Sequence, residues 1–254
     1  VLKPVDHLHD VAQRMIDGEY SAKAKLSTGD EFEAFAHAFN NMNERLKEGL
    51  SGTIRSMVAA VDARDPYTKG HTDRVAHYSM AIAREMGLSD ERIVEVEIGA
   101  ILHDVGKIAI PDIILLKAGK LSVEEFTEMK RHTVMGCEMI DRMLGNFRLE
   151  KLEHTKMLRN IIELHHEAID GSGYPRGLKG DDIPLEARII AVADIFDALT
   201  SERPYKKAWS NDDAFTELRK ISGSKVDGDC VVALEKSLET IMEIQGQFKD
   251  DPLG

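Results

Sequence analysis

The sequence predicts an all-α protein in two parts, and three observations carry that reading. Two stretches in the first fifty residues repeat apolar side chains at alternating three- and four-residue spacing, the seam of near-parallel packed helices. From Asp62 onward, apolar positions recur at helical spacing in stretch after stretch, with no convincing alternating strand. Histidines and aspartates then stand on or beside those apolar faces, where a buried carboxylate is costly unless it is paired or binds metal.

The chain of 254 residues has room for one large domain and a small one, and its 43% hydrophobic content allows a sizeable core. Its 33 basic and 45 acidic residues give a formal net charge of -12, which argues against sequence-independent binding to a nucleic-acid polymer. A small anionic ligand stays compatible if a few cations are placed locally. Cys137 and Cys230 form no CxxC pair, which fits a reducing compartment and two core thiols. No apolar run is long enough to span a bilayer, and no signal peptide is present. The chain begins with Val and so reads as a fragment of something longer.

Val1, Val5, Leu8, Ala12 and Met15 mark the first seam, and Phe32, Phe35, Phe39, Met42 and Leu46 the second. A connector from Asp17 to Gly29 separates them, with Gly18 as a helix stop and Asp30 as the N-cap of the second helix. One such pair cannot bury its seams alone, so dimerisation into a four-helix bundle is expected. Pro4, the connector, Asp30-Glu31-Phe32-Glu33 and Ala38-Phe39-Asn40-Asn41-Met42 resemble a HAMP domain over residues 1–50. The resemblance implies a parallel homodimeric coiled coil that relays signals from membrane-spanning helices to an output domain. It also implies a membrane segment before Val1, with this fragment on the cytoplasmic side of the inner membrane. Beyond Leu46 the spacing slips, through Leu50, Ile54, Met57 and Val61, and extra four-residue steps locally unwind a coiled coil. Residues 51–64 are therefore read as a connector, through which the homodimer continues, and 65–254 as the output domain.

In the output domain, Val75, Tyr78, Ile82 and Met86 mark one helix, and Ile93, Val96 and Ala100 a second that ends around Gly106. Phe126, Met129, Thr133, Ile140 and Leu144 mark a third, and Leu158, Ile161 and His165 a fourth. Ile189, Val192, Phe196 and Leu199 mark a fifth, followed by a tail pair through Phe215 and Leu234. His71, His103, Asp104, His132, His165, His166, Asp194 and Asp197 lie along these helices. Nitrogen and carboxylate donors without thiolate suit Fe, Mn, Co, Ni or Zn, and this many donors favours two ions over one. Asp104 has two oxygens to share between them.

His71-Thr72-Asp73-Arg74, His103-Asp104-Val105-Gly106-Lys107, His132 to Gly136, His165-His166-Glu167, Asp170 to Pro175, Arg188 to Ala198 and Arg203-Pro204-Tyr205 together resemble the HD-GYP family over about residues 60–245. That family is a branch of the HD-superfamily phosphohydrolases, so the resemblance implies an HD-type helical bundle that hydrolyses cyclic dinucleotides, chiefly cyclic di-GMP. Carried over by position, His71, His103, Asp104 and Asp194 would hold one divalent metal, and Asp104, His132, His165 and His166 the other. Iron or manganese is expected, with nickel, cobalt or zinc as alternatives. Lys107 would meet the scissile phosphate, with Asp104 beside it in catalysis. Tyr174, Asp197, Arg203 and Lys206 match the family's substrate-contacting positions. The loop from Asp170 to Pro175 would be a rigid rim that also offers a surface to cyclase-domain proteins.

Tyr67 departs from the pattern, standing where some members carry a glutamate that helps to hold a third metal, so a dinuclear site is expected. Asp65 is a nearby carboxylate. The charged segment 146–156 is longer than the family usually has. Glu167 either supports the histidines or is a helix-end charge. His7, His9, His37 and His154 read as solvated, and His77 as a packing or surface residue. Competing functions are a preference for cyclic GMP-AMP or linear dinucleotides, a silent binding module for cyclase-domain partners, and a diiron oxygenase, which Lys107 and the Gly-Tyr-Pro loop argue against.

Overall fold

The start of the chain and the remainder build their helices around separate apolar clusters. The computed structural model describes residues 2–16, 22–64, 70–146, 153–202 and 207–248. Among these the structure is helical, with one isolated bridge between Ser222 and Val226 and no strand. Asp17, Gly18, Asp65, Tyr67, Arg203 and Lys206 lie outside the described residues.

The first part is α1 (Leu2–Ile16) and the start of α2 (Glu31–Arg64). Asp30 caps α2 as expected, its carboxylate accepting the Phe32 N–H at 3.0 Å. The inward face of α1 differs from the expected seam. Val11 is fully buried where Ala12 was expected, and Val5 is exposed. The cause is the strap between the helices, whose Ala22, Ala24 and Leu26 alternate inward against Val11 and Ala36. Asn40 holds the strap by exchanging two hydrogen bonds with the Ala24 backbone, at 2.9 and 2.8 Å. His7, expected to be solvated, accepts the Lys25 N–H at 3.3 Å. Phe35 and Met42, both on the expected seam, stay exposed.

The helix α2 runs 34 residues without a break across the position 50 boundary. Ile54, Met57, Val58 and Val61 at its far end pack with Leu102, Val105, Ile140, Leu144 and Ile162 in one apolar cluster. A larger cluster joins α3 (His71–Glu85), α4 (Asp90–Leu102), α8 (Glu153–Leu164), α9 (Leu185–Thr200), α10 (Asn211–Ile221), α11 (Gly228–Lys236) and α12 (Leu238–Gln247), with Tyr78, Ile82 and Phe196 at its centre. Ser89, Ser210 and Asp227 each accept a backbone N–H of the helix they precede, so those starts follow side-chain caps.

Three expected elements differ. The second output helix stops at Leu102, and Val105–Ala109 forms a 3-10 turn. The expected third helix is two, α6 (Val123–Lys130) and α7 (His132–Asn146), with Arg131 between them. The tail pair is three helices, because Ser237 separates α11 from α12. The short α5 (Asp112–Leu115) completes the set.

Candidate metal centre

The centre forms where α3, α4, α7, α8 and α9 meet. His71 is the first residue of α3, and Gly70 before it has φ 74°, a left-handed turn into the helix that glycine tolerates. His103 follows the last residue of α4, His132 opens α7, His165 follows α8, and Asp194 lies within α9. The 3-10 turn brings Asp104 to His132 through a glycine crossing. A Cβ on Gly106 would stand 1.9 Å from the His132 carbonyl oxygen and 2.5 Å from the Gly136 nitrogen. Only bare backbone fits there, which is why the sequence gives up helix at this point.

Each buried imidazole is fixed by its Nδ1. His103 Nδ1 donates to the Ala100 carbonyl at 2.6 Å, His132 Nδ1 to Met129 at 2.8 Å, and His165 Nδ1 to Ile161 and Ile162 at 3.1 Å. His71 Nδ1 lies 2.7 Å from Asp197 Oδ2. In every case the proton on Nδ1 leaves the Nε2 lone pair aimed inward. The Nε2 atoms of His103, His132 and His165 are buried and hydrogen-bond to nothing.

Those lone pairs face acceptors. His103 Nε2 is 3.3 Å from Asp104 Oδ2, His132 Nε2 is 3.4 Å from Asp104 Oδ1, and His71 Nε2 is 3.5 Å from Asp194 Oδ1. Lone pairs pointed at carboxylate oxygens in a buried site repel unless a proton or a metal cation lies between them. Donor atoms of Asp104, His132, His165 and His166 lie within 4.8 Å of one another, as do those of His71, His103 and Asp194. The two groups adjoin through Asp104 and His103, so the residues fit two divalent ions of the nitrogen-and-oxygen type. No thiolate enters: Cys137 and Cys230 are buried elsewhere, and burial pushes the Cys137 thiol up to about 12.

The electrostatics of His132, His165 and His166 agree with ligation. Burial, then the neighbouring imidazoles, pushes His165 well below the ordinary histidine range. Burial and His132 take His166 down to about 3, and burial lowers His132 as well. All three are neutral at pH 7, as ligating imidazoles must be. Burial opposes charge on His103, but Asp104 overrides it and raises His103. Burial likewise opposes charge on Asp104, yet Lys107, His103 and His132 hold its carboxyl well below the usual range. Lys107 Nζ sits 2.7 Å from Asp104 Oδ2 and, with Asp194, faces the open side of the centre.

Asp197 corrects the sequence reading, which placed it among substrate contacts. It is only 1% exposed, and Arg74 donates to its Oδ1 at 2.6 Å while His71 holds its Oδ2. Arg74 also donates to Ser201 and to the Phe248 carbonyl. Asp197 therefore orients His71 from behind. The Arg74 spacing, three residues after His71, was the available signal.

The Gly-Tyr-Pro loop folds back onto the two histidines. A Cβ on Gly173 would stand 2.3 Å from the Ala168 nitrogen, and the Tyr174 N–H donates to the His166 carbonyl at 3.1 Å. The Tyr174 ring lies 4.8 Å from His166, centre to centre, and burial with Asp104 raises its pKa, so the phenol stays protonated. Asp170 is exposed and pairs with Lys225 at 2.8 Å, away from both donor groups. Glu167 takes neither expected role. Its Oε1 accepts the Arg176 and Gly177 N–H groups at 2.6 and 3.1 Å, and its Oε2 accepts Leu178 at 3.0 Å.

A family model described as the HD domain matches residues 55–230. The chain is 44% identical over 211 residues to the cyclic di-GMP phosphodiesterase response regulator RpfG of Xanthomonas campestris pv. campestris, covering 83% of this chain and 53% of the relative. It is 41% identical over 181 residues to the 3'3'-cGAMP-specific phosphodiesterase 3 of Vibrio cholerae serotype O1, covering 71% of this chain and 37% of the relative. The chain thus spans about half the length, or less, of these relatives. The HD domain of the L. monocytogenes phosphodiesterase PgpH, solved with cyclic-di-AMP, shares the fold with a TM-score of 0.50 at 15% identity, covering 78% of this chain and 100% of that one.

Proposed function

The chain belongs to the HD-domain family, and on that premise we propose that it is a metal-dependent phosphodiesterase of the HD-GYP branch that opens cyclic di-GMP. The observation that carries the reading is the pair of adjoining donor groups joined at Asp104, with the Lys107 ammonium on their open side. His71, His103, Asp104 and Asp194 would hold one ion, and Asp104, His132, His165 and His166 the other. When bound, two such ions supply a water of lowered pKa and neutralise phosphoryl oxygens.

The chain's own residues do the rest. Asp197 and Arg74 fix the His71 ring, and the backbone carbonyls of Ala100 and Met129 fix His103 and His132. Lys107 adds positive charge where negative charge builds on phosphorus. Tyr174 stands against His166 at the rim and by its place in the motif is assigned to the substrate. Water adds to phosphorus, the bond to the 3′ oxygen breaks, that oxygen takes up a proton, and the ring opens to the linear dinucleotide. Arg203 and Lys206, by their place in the motif order, are assigned to the substrate's phosphate or bases.

The relative named for 3'3'-cGAMP supports a second reading, in which cyclic GMP-AMP is the preferred substrate. We further propose that residues 1–50 form a HAMP-type relay in a homodimer, tethered at the cytoplasmic side of the inner membrane in the full-length protein. The exposed Val5, Phe35 and Met42 support that reading, since a second copy would cover them. Among the described residues no helix is long and apolar enough to cross a membrane. Cyclase-domain proteins remain proposed partners of the Gly-Tyr-Pro loop.

The test is a hydrolysis assay with elemental analysis on one preparation, using cyclic di-GMP, cyclic GMP-AMP and a linear dinucleotide, with sedimentation to read its mass. Cyclic di-GMP is expected to give the highest kcat/KM, from a dimer carrying two metals per chain. A two-metal protein that opens no cyclic dinucleotide yet binds a cyclase domain would favour the silent binding module.

A further inference from the structure

The helix α6 buries none of its residues. It is held instead at its start. Ser122 and Glu125 form a reciprocal capping box, and Lys117 pairs with Glu125 at 2.5 Å. On this helix Phe126, which helical spacing assigned to a core face, is 48% exposed. Its ring stands edge-on to Tyr174 at 6.3 Å and 82°. Lys130, one turn along, places its Nζ 5.3 Å over the Phe126 ring and 5.8 Å over Tyr174. Tyr174 in turn lies against His166 at 4.8 Å and edge-on to His132 at 6.5 Å. A line of rings therefore leads from two of the proposed metal ligands to an open aromatic face with a cation on it.

We propose that Phe126 and Lys130 form a shelf that takes one purine base of the substrate and selects guanine. This rests on the reading of the centre as a cyclic-dinucleotide phosphodiesterase. Asp104 lies 3.4 Å from His132, whose ring is 6.5 Å from Tyr174, so a phosphate at Asp104 and Lys107 puts its nucleoside within reach of Tyr174, and α6 is the element packed beside that ring. A base has a flat π-face, and stacking on an exposed aromatic side chain supplies affinity without needing a shaped pocket. The ammonium of Lys130 has donors and no acceptor. Guanine offers it both O6 and N7, whereas adenine offers N7 beside an amino group that is itself a donor. The shelf thus attracts any purine through Phe126 and discriminates through Lys130.

The test compares cyclic di-GMP, cyclic di-AMP and bis(p-nitrophenyl) phosphate, a simple diester with no base, on the metal-loaded protein. Phe126→Ala is expected to raise KM for cyclic di-GMP about fivefold or more. Hydrolysis of the simple diester should stay at the wild-type rate, and Phe126→Tyr should restore KM. Lys130→Met should narrow the kcat/KM ratio between cyclic di-GMP and cyclic di-AMP. An unchanged KM in Phe126→Ala, or equal losses on the cyclic and simple substrates, overturns the shelf while leaving the phosphodiesterase reading intact. A wild-type protein that cleaves the simple diester and no cyclic dinucleotide overturns both.

Discussion

Glu167 carries more of the site than its position after two histidines suggests. Three backbone N–H groups, from Arg176, Gly177 and Leu178, converge on its carboxylate, and the residue is 5% exposed. It ties the end of α8 to the far side of the loop that presents Tyr174. Glu167→Ala leaves those part-buried donors without their acceptor, which costs about 1–3 kcal/mol. The expected result is a lower midpoint in chemical denaturation and a raised KM, with Glu167→Gln milder on both. An unchanged midpoint in Glu167→Ala contradicts the tie. Residues of this kind are hard to read in a sequence, because helical spacing gives a face and never the neighbour across it. The imidazoles were legible because histidine on an apolar face has few other uses near metal-capable carboxylates. Asp197 shares a face with Asp194, and the family resemblance put it among the substrate contacts. Only the Arg74 contact reveals that it works from behind His71. Phe126 was misread for the complementary reason: its spacing continued the pattern of α7, and the break at Arg131 turned it outward.

Among the elements, α2 and the 3-10 turn after Asp104 are joined most directly. Arg64, the last residue of α2, donates to the carbonyls of Ile108 and Ile110 and to Asp112. Val61, one turn earlier, is buried with Leu102 and Val105, the residues that flank His103-Asp104. A shift of α2 along or about its axis therefore acts on the turn that carries Asp104 and Lys107 with no other helix between. Arg64→Ala is expected to lower kcat about tenfold at unchanged metal content, because the turn loses its outer clamp while its buried apolar contacts remain. Full activity in that variant would show that α2 holds the turn by apolar packing alone. Most helices were legible from spacing, and the start of α2 from Asp30, whereas the caps at Ser89, Ser210 and Asp227 emerge from the structure. The breaks at Arg131 and Ser237 carry no glycine or proline, so nothing local announces them. The early stop of α4 had Gly106 as its signal, but the reason lies in the His132 backbone that Gly106 must approach.

At the scale of the molecule, the centre exists because four helices from distant parts of the chain end or begin beside the body of a fifth. Helix ends supply His71, His103, His132 and His165, each with Nδ1 already engaged, and the body of α9 supplies Asp194. The all-α architecture and the convergence of these residues follow from pattern and motif order. The inward face of α1 does not, since the connector fills it in a way that helix spacing cannot foresee. The proposed centre is dinuclear, with Asp104 shared between two ions. Anomalous diffraction from crystals of protein purified with iron or manganese is the decisive measurement. Two peaks are expected, one among His71, His103 and Asp194, the other among His132, His165 and His166, both in contact with Asp104. A single peak, or a third at full occupancy, would contradict it.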